Sequence, residues 1–182
     1  MERARQLVGE MLVYCFAIVL ITGAYLTFFY NPDGGTAPYS GSYTPLHGVE
    51  MSGAYESVLR LSMESPSGLL ARQTHYRFST LLVIGAVIWA LLGLFRYLPA
   101  LLGLGLALLS GLAGFGAVDD LLSGTVLGRI PVLVWYVLHL LTSLTMAAVL
   151  VISARQEAAR RPRTPEFVVL TLALTALVFF WR

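Results

Sequence analysis

The sequence has 182 residues, 57% of them hydrophobic and 12% charged, with a mean hydropathy of +0.76 and a formal net charge of +2. A water-soluble domain cannot hide that much apolar surface, so the composition points to a polytopic, all-α membrane protein. The small net charge and the lack of a basic stripe exclude a nucleic-acid partner, and the single Cys15 excludes an intrachain disulfide.

Five apolar segments follow in chain order, at about Leu7–Tyr30, Leu69–Phe95, Leu98–Val118, Pro131–Ala154 and Phe167–Trp181. A hydrocarbon core of about 30 Å requires roughly 20 apolar residues per helix, a length the first four meet and the last barely approaches. The first is too long for the apolar region of a signal peptide and lacks a small-residue cleavage site before its polar flank, so it reads as a retained span. Between the first two lies a Gly/Pro/Tyr-rich loop. It leads into Met51–Leu61, where Ala54, Tyr55, Val58, Leu59 and Leu61 make the apolar face of a short helix lying at the interface. The expected organisation is a four-helix transmembrane bundle over 1–154, with an outer loop and interfacial helix at 31–67. A basic linker over 155–164 and a fifth transmembrane helix over 165–182 complete it. Arg3, Arg5, Arg96, Arg155, Arg160, Arg161 and Arg163 fall on one side if the spans alternate, and the positive-inside rule makes that side, with the N-terminus, cytoplasmic.

Depth can be counted at 1.5 Å per residue. His75 lies about six residues inside the outer end of the second span and His139 about eight inside that of the fourth, so both sit on the order of 10 Å below the outer surface. Gly23 and Gly114 fall near the same level on the first and third spans. Two imidazoles at one depth, with two glycines where a flat group could approach the backbone, suit a haem held inside a helical bundle. Arg72 and Arg77, just above, suit its propionates. The competing reading makes each histidine an interhelical hydrogen-bond partner, each glycine a packing residue and Arg72 a side chain that snorkels to the interface. His47 reads as a solvated or loop-structuring residue, and Asp119–Asp120 as a solvated turn, a proton exit or a docking spot. Glu10 is a costly intramembrane carboxylate that either pairs with an inner-side arginine such as Arg155 or is protonated. Tyr25, Phe28 and Trp135 give weak support for quinone binding, because they serve equally as lipid-facing or core residues. No Ser/His/Asp, H-E-x-x-H, Walker or Rossmann pattern is present.

At these positions the sequence resembles a known family. "GEMLVYCFAIVLITGAYLTFFY", "GSYTPLHGVEMSGAYESVLRLS", "GLLARQTHYR" and "GFGAVDDLLSGTVL" are similar, in order and spacing, to the N-terminal half of cytochrome b, in particular the actinobacterial type of the cytochrome bc complex. The resemblance covers roughly Leu7 to Ser153. It implies a four-helix bundle with two b haems, ligated by histidine pairs fourteen residues apart on the second and fourth helices. By that resemblance His75 and His139 match the outer-haem pair, Arg72 a propionate-binding arginine, and Gly23 and Gly114 the glycines against which the outer haem packs. The departures are specific. Trp89 and Ser153 stand where the inner pair would be, Ala100 replaces a glycine, Leu144 a proline, and Val118 the proline before "DDLLSG". The Pro-Glu-Trp-Tyr motif of the outer quinol site belongs to the C-terminal half and does not occur in this sequence.

The resemblance therefore implies one low-spin, two-histidine haem b near the outer face of the cell membrane. The protein would relay electrons as a subunit and would not be a complete quinol oxidoreductase. The partners implied are other respiratory subunits or a periplasmic electron carrier, with quinone and a homodimer compatible by analogy. The alternative is a haem-free or haem-holding assembly subunit of a respiratory complex.

Overall fold

The computed structural model describes residues 1–33, 35–118, 122 and 124–180. The Asp119–Asp120 pair and Trp181, singled out above, lie outside the described residues. Six α-helices carry the architecture: α1 (Glu2–Thr27), α2 (Gly53–Glu64), α3 (Pro66–Leu92), α4 (Leu98–Val118), α5 (Val132–Arg160) and α6 (Pro165–Phe180). Four of them, α1, α3, α4 and α5, are long and apolar enough to cross a membrane. At 1.5 Å per residue they measure roughly 39, 40, 32 and 44 Å, against about 30 Å of hydrocarbon. The protein is thus a polytopic helical membrane protein. The 16 residues of α6 give only about 24 Å.

Three helices begin with the same local chemistry. The hydroxyls of Ser52, Ser65 and Thr164 accept hydrogen bonds from the backbone N–H of Tyr55, Gly68 and Phe167 at 3.2, 3.1 and 3.3 Å. Each satisfies one of the first-turn donors that a helix leaves without an internal partner. At α3 and α6 the next residue is proline, which loses nothing at a position whose N–H has no helical acceptor. The α3–α4 corner is closed differently. Phe95 N–H reaches back to the Ala90 carbonyl at 2.9 Å, and Leu94 and Phe95 adopt φ of 51° and 53°. The six-to-one hydrogen bond with left-handed residues is a Schellman-type helix end built without glycine at the left-handed positions.

Packing divides the chain into two compact units. The first comprises Met1–Val19, Phe78–Leu108 and Ser143–Arg182. Its core gathers Leu12, Phe16, Leu82, Met146 and Leu150 around Trp89, which is 1% exposed, and Phe179 of α6 packs against it. The indole lies where a Cβ on Gly9 would come within 3.2 Å of Nε1 and one on Gly103 within 3.1 Å of Cζ3, so glycine on α1 and on α4 makes room for a ring between them. At the charged end of this unit Arg5 pairs with Glu157 at 2.8 Å and Arg163 with Glu10 at 2.6 Å, while Arg161 pairs with Glu2. Glu10 therefore takes Arg163 as its arginine. Arg5 also lies over the Tyr97 ring at 4.2 Å, and the Tyr97 hydroxyl meets Ser153 Oγ at 2.8 Å. Burial holds that hydroxyl above its ordinary pKa and hence protonated.

The second unit comprises Leu20–Arg77 and Leu109–Thr142. Its loop carries an element that hydropathy does not announce, a two-stranded antiparallel ribbon of β1 (Thr36–Pro38) and β2 (Glu50–Ser52) in the register Thr36↔Ser52. Tyr39, Met51 and Leu59 form a small core beneath it. His47 Nε2 donates to the Gly41 carbonyl, a loop-structuring role. A second cluster joins Ala113, Ala117 and Trp135 with Tyr30 and Tyr136, and the Tyr30 hydroxyl donates to the Ala117 carbonyl.

Candidate functional site

All six residues singled out for a cofactor lie in the second unit. His75 stands nine residues after Pro66, the start of α3, and His139 seven after Val132, the start of α5, so each is about 10–14 Å along its helix. Their imidazole centroids are 6.1 Å apart, with the ring planes inclined at 65°. Both rings are half-buried. His139 makes its hydrogen bonds through Nδ1, at 2.8 Å to the backbone carbonyl of Ser110 and 3.2 Å to its hydroxyl. A carbonyl can only accept, so Nδ1 of His139 carries the proton. His75 Nδ1 lies 3.1 Å from Thr22 Oγ1 on α1.

The two glycines back the same rings. A Cβ on Gly23 would stand 3.0 Å from Cε1 and 3.4 Å from Nδ1 of His75. One on Gly114 would stand 3.2 Å from Nδ1 and 3.3 Å from Cε1 of His139. Each imidazole thus rests edge-on against bare backbone of a neighbouring helix, α1 for His75 and α4 for His139. Arg72, one turn before His75, is half-buried and donates to Ser62 Oγ of α2 at 3.0 Å. It forms no ion pair with a carboxylate among the described residues. Arg77 is exposed and stands two residues beyond His75 on α3, so it lies on the inner side of the histidine level and not above it as the depth count placed it. The aromatics considered for quinone do not gather: Trp135 is buried in its own cluster, Phe28 is exposed, and Tyr25 contacts Phe29 and hydrogen-bonds Ser67.

No protein-family profile matches the chain. Curated relatives do match. It is 38% identical over 129 residues to the cytochrome b subunit of the cytochrome bc1 complex of Streptomyces coelicolor, covering 65% of this chain and 24% of that protein. It is 40% identical over 129 residues to the corresponding subunit of Mycobacterium tuberculosis, covering 65% of this chain and 23% of the relative. For the Corynebacterium diphtheriae subunit the figures are 38% over 128 residues, 65% and 24%. This chain is homologous to the N-terminal half of cytochrome b. It spans about a quarter of the length of the cytochrome b relatives it matches.

Residue types alone did not disclose the partners of the two histidines. Thr22 and Ser110 are hydroxyl residues inside apolar runs, and each lies one or four positions before a glycine of the site. That pairing of a small polar residue with a nearby glycine on the same span was the available signal, but hydroxyls are so common in membrane helices that it carries little weight by itself. Ser62 was invisible for another reason: only the fold of α2 against α3 brings it to Arg72.

Proposed function

We propose that this protein is a membrane-embedded cytochrome b-like electron carrier that holds one haem b between His75 and His139. The observation that carries the proposal is the 6.1 Å separation of the imidazole centroids. A metal–nitrogen bond is about 2 Å and a ring centroid lies about 1.1 Å behind its nitrogen, so two imidazoles on opposite sides of one metal stand about 6 Å apart. Two protein ligands do not hold a bare ion, and no group of three or more His, Cys, Asp or Glu gathers among the described residues. A pair of this kind suits an iron whose other four positions are filled by a macrocycle. Bound haem would supply one-electron chemistry there.

The remaining residues would bind and orient that group. Arg72, with no carboxylate partner among the described residues, offers charge-assisted hydrogen bonds to a propionate, and Arg77 a second positive charge. Gly23 and Gly114 let the ligand rings sit close to α1 and α4. A single haem per chain is the reading supported by Trp89, buried between Gly9 and Gly103, and by Ser153, whose hydroxyl is engaged by Tyr97; neither is a usual haem ligand. The bias of arginines toward one end of the spans supports a cytoplasmic N-terminus and a haem nearer the outer face of the cell membrane. Electron exchange with quinone, or with other subunits of a bc1-type respiratory assembly, is the role the cytochrome b relatives suggest for it.

The test is a haem count on detergent-purified protein by pyridine haemochrome against protein mass, with His75→Ala and His139→Ala in parallel. One low-spin b haem per chain, lost in either variant, is the expected result. Two haems per chain would refute the single-site reading. A folded protein with no haem would leave the histidines as interhelical hydrogen-bond partners and favour an assembly-subunit role.

A further inference from the structure

The two histidines are held from behind by chemically different acceptors. On α5, the Nδ1 proton of His139 goes to a backbone carbonyl, that of Ser110, at 2.8 Å. On α3, Nδ1 of His75 meets a side chain, Thr22 Oγ1, at 3.1 Å. An imidazole can present Nε2 to a metal only if Nδ1 carries the proton, and the group accepting that proton fixes both the tautomer and the direction of the ring. For His139 the shorter contact is to the main chain, which no substitution removes, with the Ser110 hydroxyl beside it at 3.2 Å. For His75 a side-chain hydroxyl stands at Nδ1. Helical threonines characteristically turn their hydroxyl proton toward a carbonyl one turn back, which leaves the oxygen lone pairs to accept.

We infer that Thr22 is a positioning residue for the cofactor site: its hydroxyl accepts the Nδ1 proton of His75, holds that ring in the tautomer that turns Nε2 to the iron, and raises its donor strength. The inference rests on the haem reading above. It makes the His75 side of the pair adjustable through a side chain, whereas the His139 side keeps a main-chain acceptor. Thr22 also immediately precedes Gly23, so one dipeptide on α1 supplies both the acceptor and the clearance for the same ring.

Thr22→Val tests it, because valine keeps the β-branched shape and removes only the acceptor. Thr22→Ser restores the hydroxyl on a smaller side chain, and Ser67→Ala serves as control by deleting the Tyr25–Ser67 contact, another polar link between α1 and α3 that does not touch a histidine. The readouts are haem content, the rate of haem loss to apomyoglobin and the midpoint potential by redox titration. With its acceptor gone the His75 imidazole donates less to the iron, the oxidised form is less favoured and the potential rises. Haem loss quickens by about tenfold, the lower end of the range for such supporting residues. Thr22→Ser should return both toward the parent values, and Ser67→Ala should leave the potential unmoved. A Thr22→Val protein with unchanged potential and haem retention would overturn the inference while leaving the haem reading standing, and so would an equal shift in Ser67→Ala. Parent protein that binds no haem would overturn both.

Discussion

Replacing Gly23 with alanine tests the site at its tightest point. The added Cβ would lie 3.0 Å from Cε1 and 3.4 Å from Nδ1 of His75, whereas ordinary carbon–carbon contact is about 3.5–4.0 Å. The ring must withdraw by roughly 0.5–1 Å, and the backbone of α1 cannot yield because it is continuous helix on both sides. Metal sites tolerate ligand displacements of about 0.2 Å, so the imidazole would be carried out of bonding range or made to tilt. We expect haem affinity to fall by about tenfold or more, equivalent to about 1.4 kcal/mol or more. Titration of haem into the stripped, detergent-solubilised protein measures this directly. Gly111→Ala on α4 is the matched control: a Cβ there meets nothing within 4 Å, and helix propensity alone favours alanine by up to about 1 kcal/mol. Equal haem affinity for Gly23→Ala and the parent protein would refute the argument that Gly23 exists to admit the His75 ring.

Two further substitutions probe the first unit. Trp89→Ala empties a site enclosed on two sides by glycines and should cost about 3–5 kcal/mol, read as a lower thermal midpoint in detergent; a change under about 1 kcal/mol would mean that the surrounding helices collapse onto the space. Glu157→Ala leaves Arg5, whose side chain is 15% exposed, beside a vanished carboxylate that was itself 7% exposed. Breaking such a pair costs about 3 kcal/mol because a buried charge loses its partner, and Glu157→Gln, which keeps a hydrogen-bond acceptor for Arg5 Nε, should recover part of the loss in the same melt.

The spans were legible because apolar runs of this length have few alternatives, and α4 begins and ends where hydropathy places it, at Leu98 and Val118. α1 and α5 overrun their apolar cores at the charged end for electrostatic reasons, whereas α3 stops at Leu92, short of the expected Phe95. α1 starts at Glu2, five residues before the apolar run, since Arg3, Arg5 and Gln6 find partners in Gln6, Glu157 and the Arg161 carbonyl. α5 continues to Arg160 because Glu157 is buried against Arg5. Pairings of this kind join residues about 150 positions apart, and no local pattern announces them. The β1–β2 ribbon was equally hidden, its strands being three residues long and separated by a loop containing Pro45. In the candidate site, the depth count marked His75, His139, Gly23 and Gly114, all four of which meet in pairs, glycine against imidazole. It was silent on Thr22 and Ser110, because what matters there is which atom of the ring is hydrogen-bonded.

The corner between α3 and α4 has a consequence for how the protein rides in its bilayer. Left-handed backbone at Leu94 and Phe95 turns two large apolar side chains outward, 61% and 53% exposed, immediately before Arg96. Water penalises that arrangement and the deep hydrocarbon penalises the arginine, so only the boundary layer between them accommodates both. A rigid hairpin end of this composition acts as a float. It resists being pulled inward or pushed out, and so holds the α3–α4 corner at that boundary.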